Sequence, residues 1–136
     1  ERFGLQTNVP LFVFIGRFAG EKGADLLPDL VRTCAYAFGP KINMLILGSG
    51  DPWVETQLQE LFAHLPGHYR GFIGYHEGLA HQCYAGADFI LMPSRVEPCG
   101  LNQMYAMRYG TVPIVRRIGG LKDTVVDMGD GGWGFA

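Results

Sequence analysis

The chain has 136 residues, 48% of them apolar and 18% charged, and its 11 basic and 13 acidic side chains leave a net charge of −2. That length and composition suit a single folded domain over 1–136 and exclude a disordered chain. The balance of charge gives no basic field for nucleic acid, and no apolar run approaches the ~20 residues of a membrane span, so neither nucleic acid nor a membrane is an expected partner.

Strand-like and helix-like patterns then alternate from end to end. Residues 11–15, all apolar, read as a short buried strand. Over 24–38 the apolar positions Leu26, Leu27, Leu30, Val31, Cys34 and Phe38 fall at helical spacing, with Pro28 tolerable in the first turn. Residues 42–47 form a second strand, ended by Gly48, Ser49 and Gly50. Asp51 is placed as an N-cap with Pro52 at the first helical position, and Leu58, Leu61, Phe62 and Leu65 make that helix's apolar face. A third strand covers 69–73, weakened by Gly71. A short helix fits 78–84, a fourth strand 88–92, a helix 101–109 and a fifth strand 112–115. A helical stretch over 121–126 and a Gly-rich turn lead towards a sixth strand. Alternation of this kind predicts an α/β fold: a doubly wound, Rossmann-like parallel sheet with helices on both faces and right-handed crossovers.

In a parallel sheet all strand carboxyl ends share one edge, and ligands bind in the loops there. The first such loop, 16–23, is not a P-loop, because Gly23 follows Lys22 and no Ser or Thr comes next. It carries two cations, Arg17 and Lys22, able to grip phosphate oxygens or simply to stand as solvated charge. The second, 48–53, begins like a dinucleotide fingerprint but has Trp53 where the third glycine belongs, so a structural turn is expected. Tyr75 is an aromatic on the ligand edge, suited to stacking under a flat base or to packing. The fourth loop runs from Pro93 through Glu97 to Gly100 and puts an acidic side chain between a strand end and a helix start, where free backbone N–H groups attract anions. Arg116 and Arg117 precede Gly119 and Gly120, as an anion clamp or as ion-pairing surface charge.

Three cysteines, Cys34, Cys83 and Cys99, form no C-x-x-C pair, which fits a reduced intracellular setting. Cys99 has no histidine near it in sequence to activate it, so a small packed residue is expected. His64 and His68 have helical spacing, but Pro66 and Gly67 between them break a helix. No metal site and no cofactor are expected. Glu1 in place of Met, and a stop just after a Gly-rich turn, lead us to expect a piece of a larger protein.

Several motifs, in order, resemble the starch and bacterial glycogen synthases: Arg17 with Lys22-Gly23-Ala24-Asp25-Leu26; Gly74-Tyr75; Pro93-Ser94-Arg95-Val96-Glu97-Pro98-Cys99-Gly100-Leu101; Tyr109-Gly110-Thr111; and Arg116-Arg117 with Gly119-Gly120-Leu121. The resemblance implies the carboxyl-terminal, donor-binding domain of a GT-B fold, with the amino-terminal domain and a final crossover helix outside this chain. It implies transfer of glucose from ADP-glucose or UDP-glucose to the non-reducing end of an α-1,4-glucan, with retention, the glucan being met by the other domain. The excised domain is then expected to be inactive. By the same resemblance Arg17 and Lys22 hold the diphosphate, Glu97 lies by the donor glucose, backbone N–H groups of Cys99, Gly100 and Leu101 bind glucose and phosphate, Asn102 adds a phosphate contact and Tyr75 stacks on the base. Related retaining enzymes carry a second Glu eight positions after the first; here that position is Tyr105, as in the starch and glycogen synthases. The compartment implied is bacterial cytoplasm or plastid stroma. The alternatives are a non-catalytic nucleotide- or sugar-binding regulatory module and another retaining GT-B glycosyltransferase.

Overall fold

The computed structural model describes residues 8–65, 67–74, 77–95, 102–115, 121, 125, 127–130, 132, 134 and 135. Five strands form one parallel sheet: β1 (Leu11–Phe18), β2 (Asn43–Gly50), β3 (Tyr69–Ile73), β4 (Phe89–Met92) and β5 (Val112–Val115). Their order is β3-β2-β1-β4-β5. Among the described residues four helices lie between them: α1 (Leu27–Phe38), α2 (Pro52–His64), α3 (Glu77–Gly86) and α4 (Asn102–Arg108). The chain winds outward from β1 in one direction and then returns to wind outward from β4 in the other, which is the Rossmann-like layout expected. Phe135 adds a parallel bridge to Ile114, with Val115 N–H donating to Phe135 O at 2.7 Å, so a sixth strand position begins beside β5.

The sheet separates two apolar layers because successive strand residues face opposite sides. On one side Val13, Ile15, Leu45, Leu47, Ile90 and Met92 pack under α3 and α4, meeting Leu79, Cys83, Tyr84 and Ala106. On the other side Phe14, Phe18, Met44 and Ile46 pack under α1 and α2, meeting Leu27, Val31, Val54 and Leu58. Fully burying one such aliphatic side chain contributes about 1.5–3 kcal/mol. Tyr69, wholly buried, donates its hydroxyl to Cys34 O at 3.1 Å and Gly39 O at 2.9 Å, tying the amino end of β3 to the end of α1.

Local chemistry sets the element ends. Asp51 caps α2, its carboxylate accepting from Trp53 N–H at 2.8 Å, while Glu55 accepts from Gly50 N–H at 2.8 Å. His64 is committed one turn back, to Glu60 O, and His68 to Asn43 Oδ1 at the start of β2. Gly71 does not break β3: a Cβ there would lie 2.4 Å from the Phe62 ring, so the missing side chain admits an α2 aromatic. Two expectations are corrected. Gly16, Arg17 and Phe18 continue β1, and Gly48, Ser49 and Gly50 continue β2; the pairing Gly16↔Gly48, Arg17↔Ser49 and Phe18↔Gly50 extends the ladder past the apolar runs. The first helix also begins later than expected, as Ala24–Leu26 forms a 3₁₀ turn before α1. Of the helix expected over 121–126, Leu121 is helical and accepts a hydrogen bond from Val125 N–H at 3.0 Å, while residues 122–124 and 126 lie outside the described residues.

Candidate functional site

The order of strands reverses between β1 and β4, so the crevice at their carboxyl ends is where this architecture places a ligand. Two segments flank it. After β1 the chain makes a 3₁₀ turn, Gly20–Lys22, then turns through Gly23 at φ 71° into the turn that leads to α1. After β4 it runs through Pro93, Ser94 and Arg95. The two segments are joined directly: Arg95 N–H donates to Glu21 O at 2.8 Å, and Gly23 lies so close that a Cβ on it would stand 2.2 Å from Pro93 O. Gly23 is therefore required twice, for its left-handed backbone and for the close approach.

Lys22 lines the small notch between the two strand ends, with Gly16, Met92 and Ser94. Arg17 is the penultimate residue of β1, not a loop residue, and its side chain is 73% exposed. The two-residue strand period puts Arg17 on the face of Val13 and Ile15, the face covered by α3 and α4. Its guanidinium pairs with Glu21 at 2.8 Å. An exposed pair of this kind contributes only about 0–1 kcal/mol, so an incoming anion can compete for the guanidinium.

On that face opens a cavity of ≈ 360 Å³ lined by Ile15, two residues before Arg17, with Gly16, Glu77, Ala80, His81, Tyr84 and Tyr105. Small-molecule sites usually run to about 300–1,000 Å³. The His81 ring lies 6.2–6.3 Å from the rings of Tyr84, Tyr105 and Tyr109, and the Tyr84 and Tyr105 rings are 6.2 Å apart. Gly16 borders both the notch and this cavity, so the two are neighbouring compartments of one edge.

Sequence reasoning placed Arg17 and Lys22 at this edge, and both are there. Glu97, Tyr75, Cys99, Gly100 and Leu101 lie outside the described residues, as do Arg116 and Arg117; Asn102 is the first residue of α4. The aromatic cavity was not foreseen. Its trace in the sequence is two pairs at helical spacing, His81 with Tyr84 on α3 and Tyr105 on α4 with Tyr109 just past its end. The pairing of Arg95 with Asp25 was also missed: the guanidinium reaches the two carboxylate oxygens at 2.5 and 2.9 Å, which raises the Arg95 pKa above its ordinary value. Among the described residues no group of three His, Cys, Asp or Glu side chains stands close enough to hold a metal ion, and no helix is long and apolar enough to cross a membrane.

Comparison with known proteins agrees with this layout. Glycogen synthase of Flavobacterium johnsoniae is 60% identical over 135 residues, covering 99% of this chain and 28% of its own length. Glycogen synthase of Treponema denticola is 50% identical over 129 residues, covering 92% of the chain and 26% of its own. The chain thus spans about a quarter of the length of these curated relatives. Among solved structures, the catalytic domain of starch synthase IV from Arabidopsis thaliana, bound to ADP and acarbose, superposes with a TM-score of 0.78 at 37% identity, covering 95% of this chain and 27% of that one. The sheet has the form of the carboxyl-terminal domain of a GT-B glycosyltransferase. The glycosyl transferases group 1 family matches residues 1–134, and the chain belongs to that family.

Proposed function

We propose that this chain is the donor-binding domain of a glycogen or starch synthase, which transfers glucose from ADP-glucose or UDP-glucose to the non-reducing end of an α-1,4-glucan with retention. The observation that carries the reading is the direct joining of the Lys22 turn to the segment that leads into Glu97, across the crevice between β1 and β4. A nucleoside diphosphate fits the edge in parts. Lys22 at the notch and Arg17 at the end of β1 supply cations for the two phosphates, and the aromatic walls of the cavity suit a nucleoside. Tyr75 is assigned to the base, and Asn102 with the backbone N–H groups of Cys99, Gly100 and Leu101 to the phosphates and glucose.

In the reaction the bond from the anomeric carbon to the diphosphate breaks and a bond to the acceptor hydroxyl forms on the same face. Negative charge grows on the departing diphosphate, so cations fixed there stabilise the transition state more than the bound donor. Glu97 is assigned to the donor glucose, either steadying the cation-like sugar during a same-face displacement or forming a covalent intermediate. The amino-terminal GT-B domain, which lies outside this chain, brings the acceptor glucan, so the excised domain is inactive.

Calorimetric titration of the full-length protein with ADP and with UDP tests the binding half. Arg17→Ala and Lys22→Ala each remove a charged hydrogen bond of about 1.5–3 kcal/mol, which is roughly 10- to 100-fold in affinity. Glu97→Ala leaves nucleotide affinity near wild type and lowers turnover by orders of magnitude. Nucleotide binding that is absent, or indifferent to both cation variants, overturns the assignment. Binding without sugar transfer to any glucan points to a regulatory module.

A further inference from the structure

We propose that Arg95 is a positioning residue: paired with Asp25, it holds the turn that carries Lys22 in register with the segment that carries Glu97. The inference rests on the donor-site reading above and adds a residue to it. Arg95 Nη1 donates to Gly20 O at 2.9 Å and to Asp25 Oδ1 at 2.5 Å, Nη2 donates to Asp25 Oδ2 at 2.9 Å, and the Arg95 backbone N–H donates to Glu21 O at 2.8 Å. Gly23 rests against the Pro93 backbone. Lys22 is thus bracketed by Gly20, Glu21, Gly23 and Asp25, each in contact with residues 93–95. Two segments about seventy residues apart in sequence are fastened around one cation.

The fork of the guanidinium is what the geometry uses. Arg95 serves acceptors in two directions, a bidentate carboxylate and a carbonyl, from one rigid plane; an ammonium at the same place is a point charge without that plane. The side chains of Arg95 and Asp25 are 39% and 45% exposed, and ion pairs this open add little to global stability. Their effect is therefore local, on where Lys22 sits relative to residues 93–95. A misplacement of about 1 Å at a reacting centre can cost on the order of 100-fold in rate.

The test uses the full-length protein and the variants Arg95→Lys and Asp25→Asn, alone and combined with Lys22→Ala. Amide hydrogen exchange over residues 20–25 is expected to speed up about tenfold or more while the thermal midpoint stays close to wild type. The kcat/KM for the nucleotide sugar falls about 10- to 100-fold, and most of that loss disappears in the Lys22→Ala background, because Arg95 acts through Lys22. Unchanged exchange over 20–25, or a loss that adds in full to that of Lys22→Ala, overturns the proposal. A wild-type protein that transfers no sugar overturns the functional reading instead, and the exchange rates still decide whether Arg95 holds the turn.

Discussion

Gly48→Ala tests the claim that the ligand edge depends on close contact between β1 and β2. A Cβ at Gly48 would lie 2.0 Å from Gly16 O and 2.8 Å from Phe18 Cε1. Ordinary contact begins at 3.4 Å, and the nearest atom is a backbone carbonyl in the middle of a paired ladder, with no rotamer to change. The strands must part locally or the Gly16 peptide must tilt. Overpacking of this kind costs about 1–3 kcal/mol, and each ladder hydrogen bond strained or lost adds about 0.5–1.5 kcal/mol. The expected destabilisation is about 2–5 kcal/mol, a large share of the roughly 5–15 kcal/mol that holds a domain together. Urea unfolding of the protein containing this chain reads it as a fall in the transition midpoint. Gly86→Ala is the control, since nothing lies within 4 Å of a Cβ there, and it should stay within about 0.5 kcal/mol. Because Gly16 borders both the notch and the aromatic cavity, nucleotide affinity should fall under conditions where Gly48→Ala is still folded. A midpoint and an affinity both equal to wild type would refute the contact and the coupling together.

Two further predictions concern the scaffold. Tyr69→Phe removes the hydroxyl shared by Cys34 O and Gly39 O and should cost about 1–3 kcal/mol in thermal or urea unfolding, because two part-buried carbonyls lose their donor. Burial raises the pKa of Tyr69 first, with the neighbouring Cys34 charge second, and burial also raises that of Cys34. The folded chain thus holds both protons more tightly than the unfolded one, so this stabilisation is whole below the ordinary cysteine value of 9.0 and is lost as pH rises through the folded values. Stability against pH should therefore decline more gently above that point in Tyr69→Phe than in wild type; an identical alkaline decline argues against the linkage. Asp51→Ala removes the α2 cap and should cost about 0.5–2 kcal/mol, with Asp51→Asn recovering most of it; equal losses in the two variants would mean the cap bond to Trp53 is not the cause.

What the sequence made legible, and what it did not, divides along the range of the interactions. The strand at Val112–Val115, the Asp51 cap and Pro52 opening α2 were readable because each depends on neighbours within a few residues. The carboxyl ends of β1 and β2 were misread as loops because glycines at Gly16, Gly48 and Gly50 look like turn residues in isolation. Their reason is tertiary: Gly16↔Gly48 is a cross-strand pair without side chains, and the ladder continues through it to Phe18↔Gly50. Gly71 misled in the same direction, since nothing in its own strand announces the Phe62 ring. Lys22 was recognisable as a ligand-edge cation from its place in a strand-to-helix connection. Its fastening was not, because a pairing between Asp25 and Arg95 leaves no periodic trace in the chain.

Moving Arg17 from loop to strand changes what it can do under the proposed function. A loop cation follows its ligand; a strand residue has its direction set by the pleat. Arg17 is thereby assigned to the α3/α4 face, two residues on from Ile15 in the cavity wall, while Lys22 lines the notch that Gly16 shares with that cavity. The two cations then have distinct partners along one ligand. Under that reading Arg17 is assigned to the phosphate nearer the nucleoside and Lys22 to the phosphate nearer the sugar, since the Lys22 turn is the one joined to residues 93–95. The leaving charge develops on the whole diphosphate, but the bond that breaks is at its sugar end. On the proposed function, Lys22 is therefore the cation whose placement bears on the chemical step, in keeping with the fastening of the turn that carries it to residues 93–95.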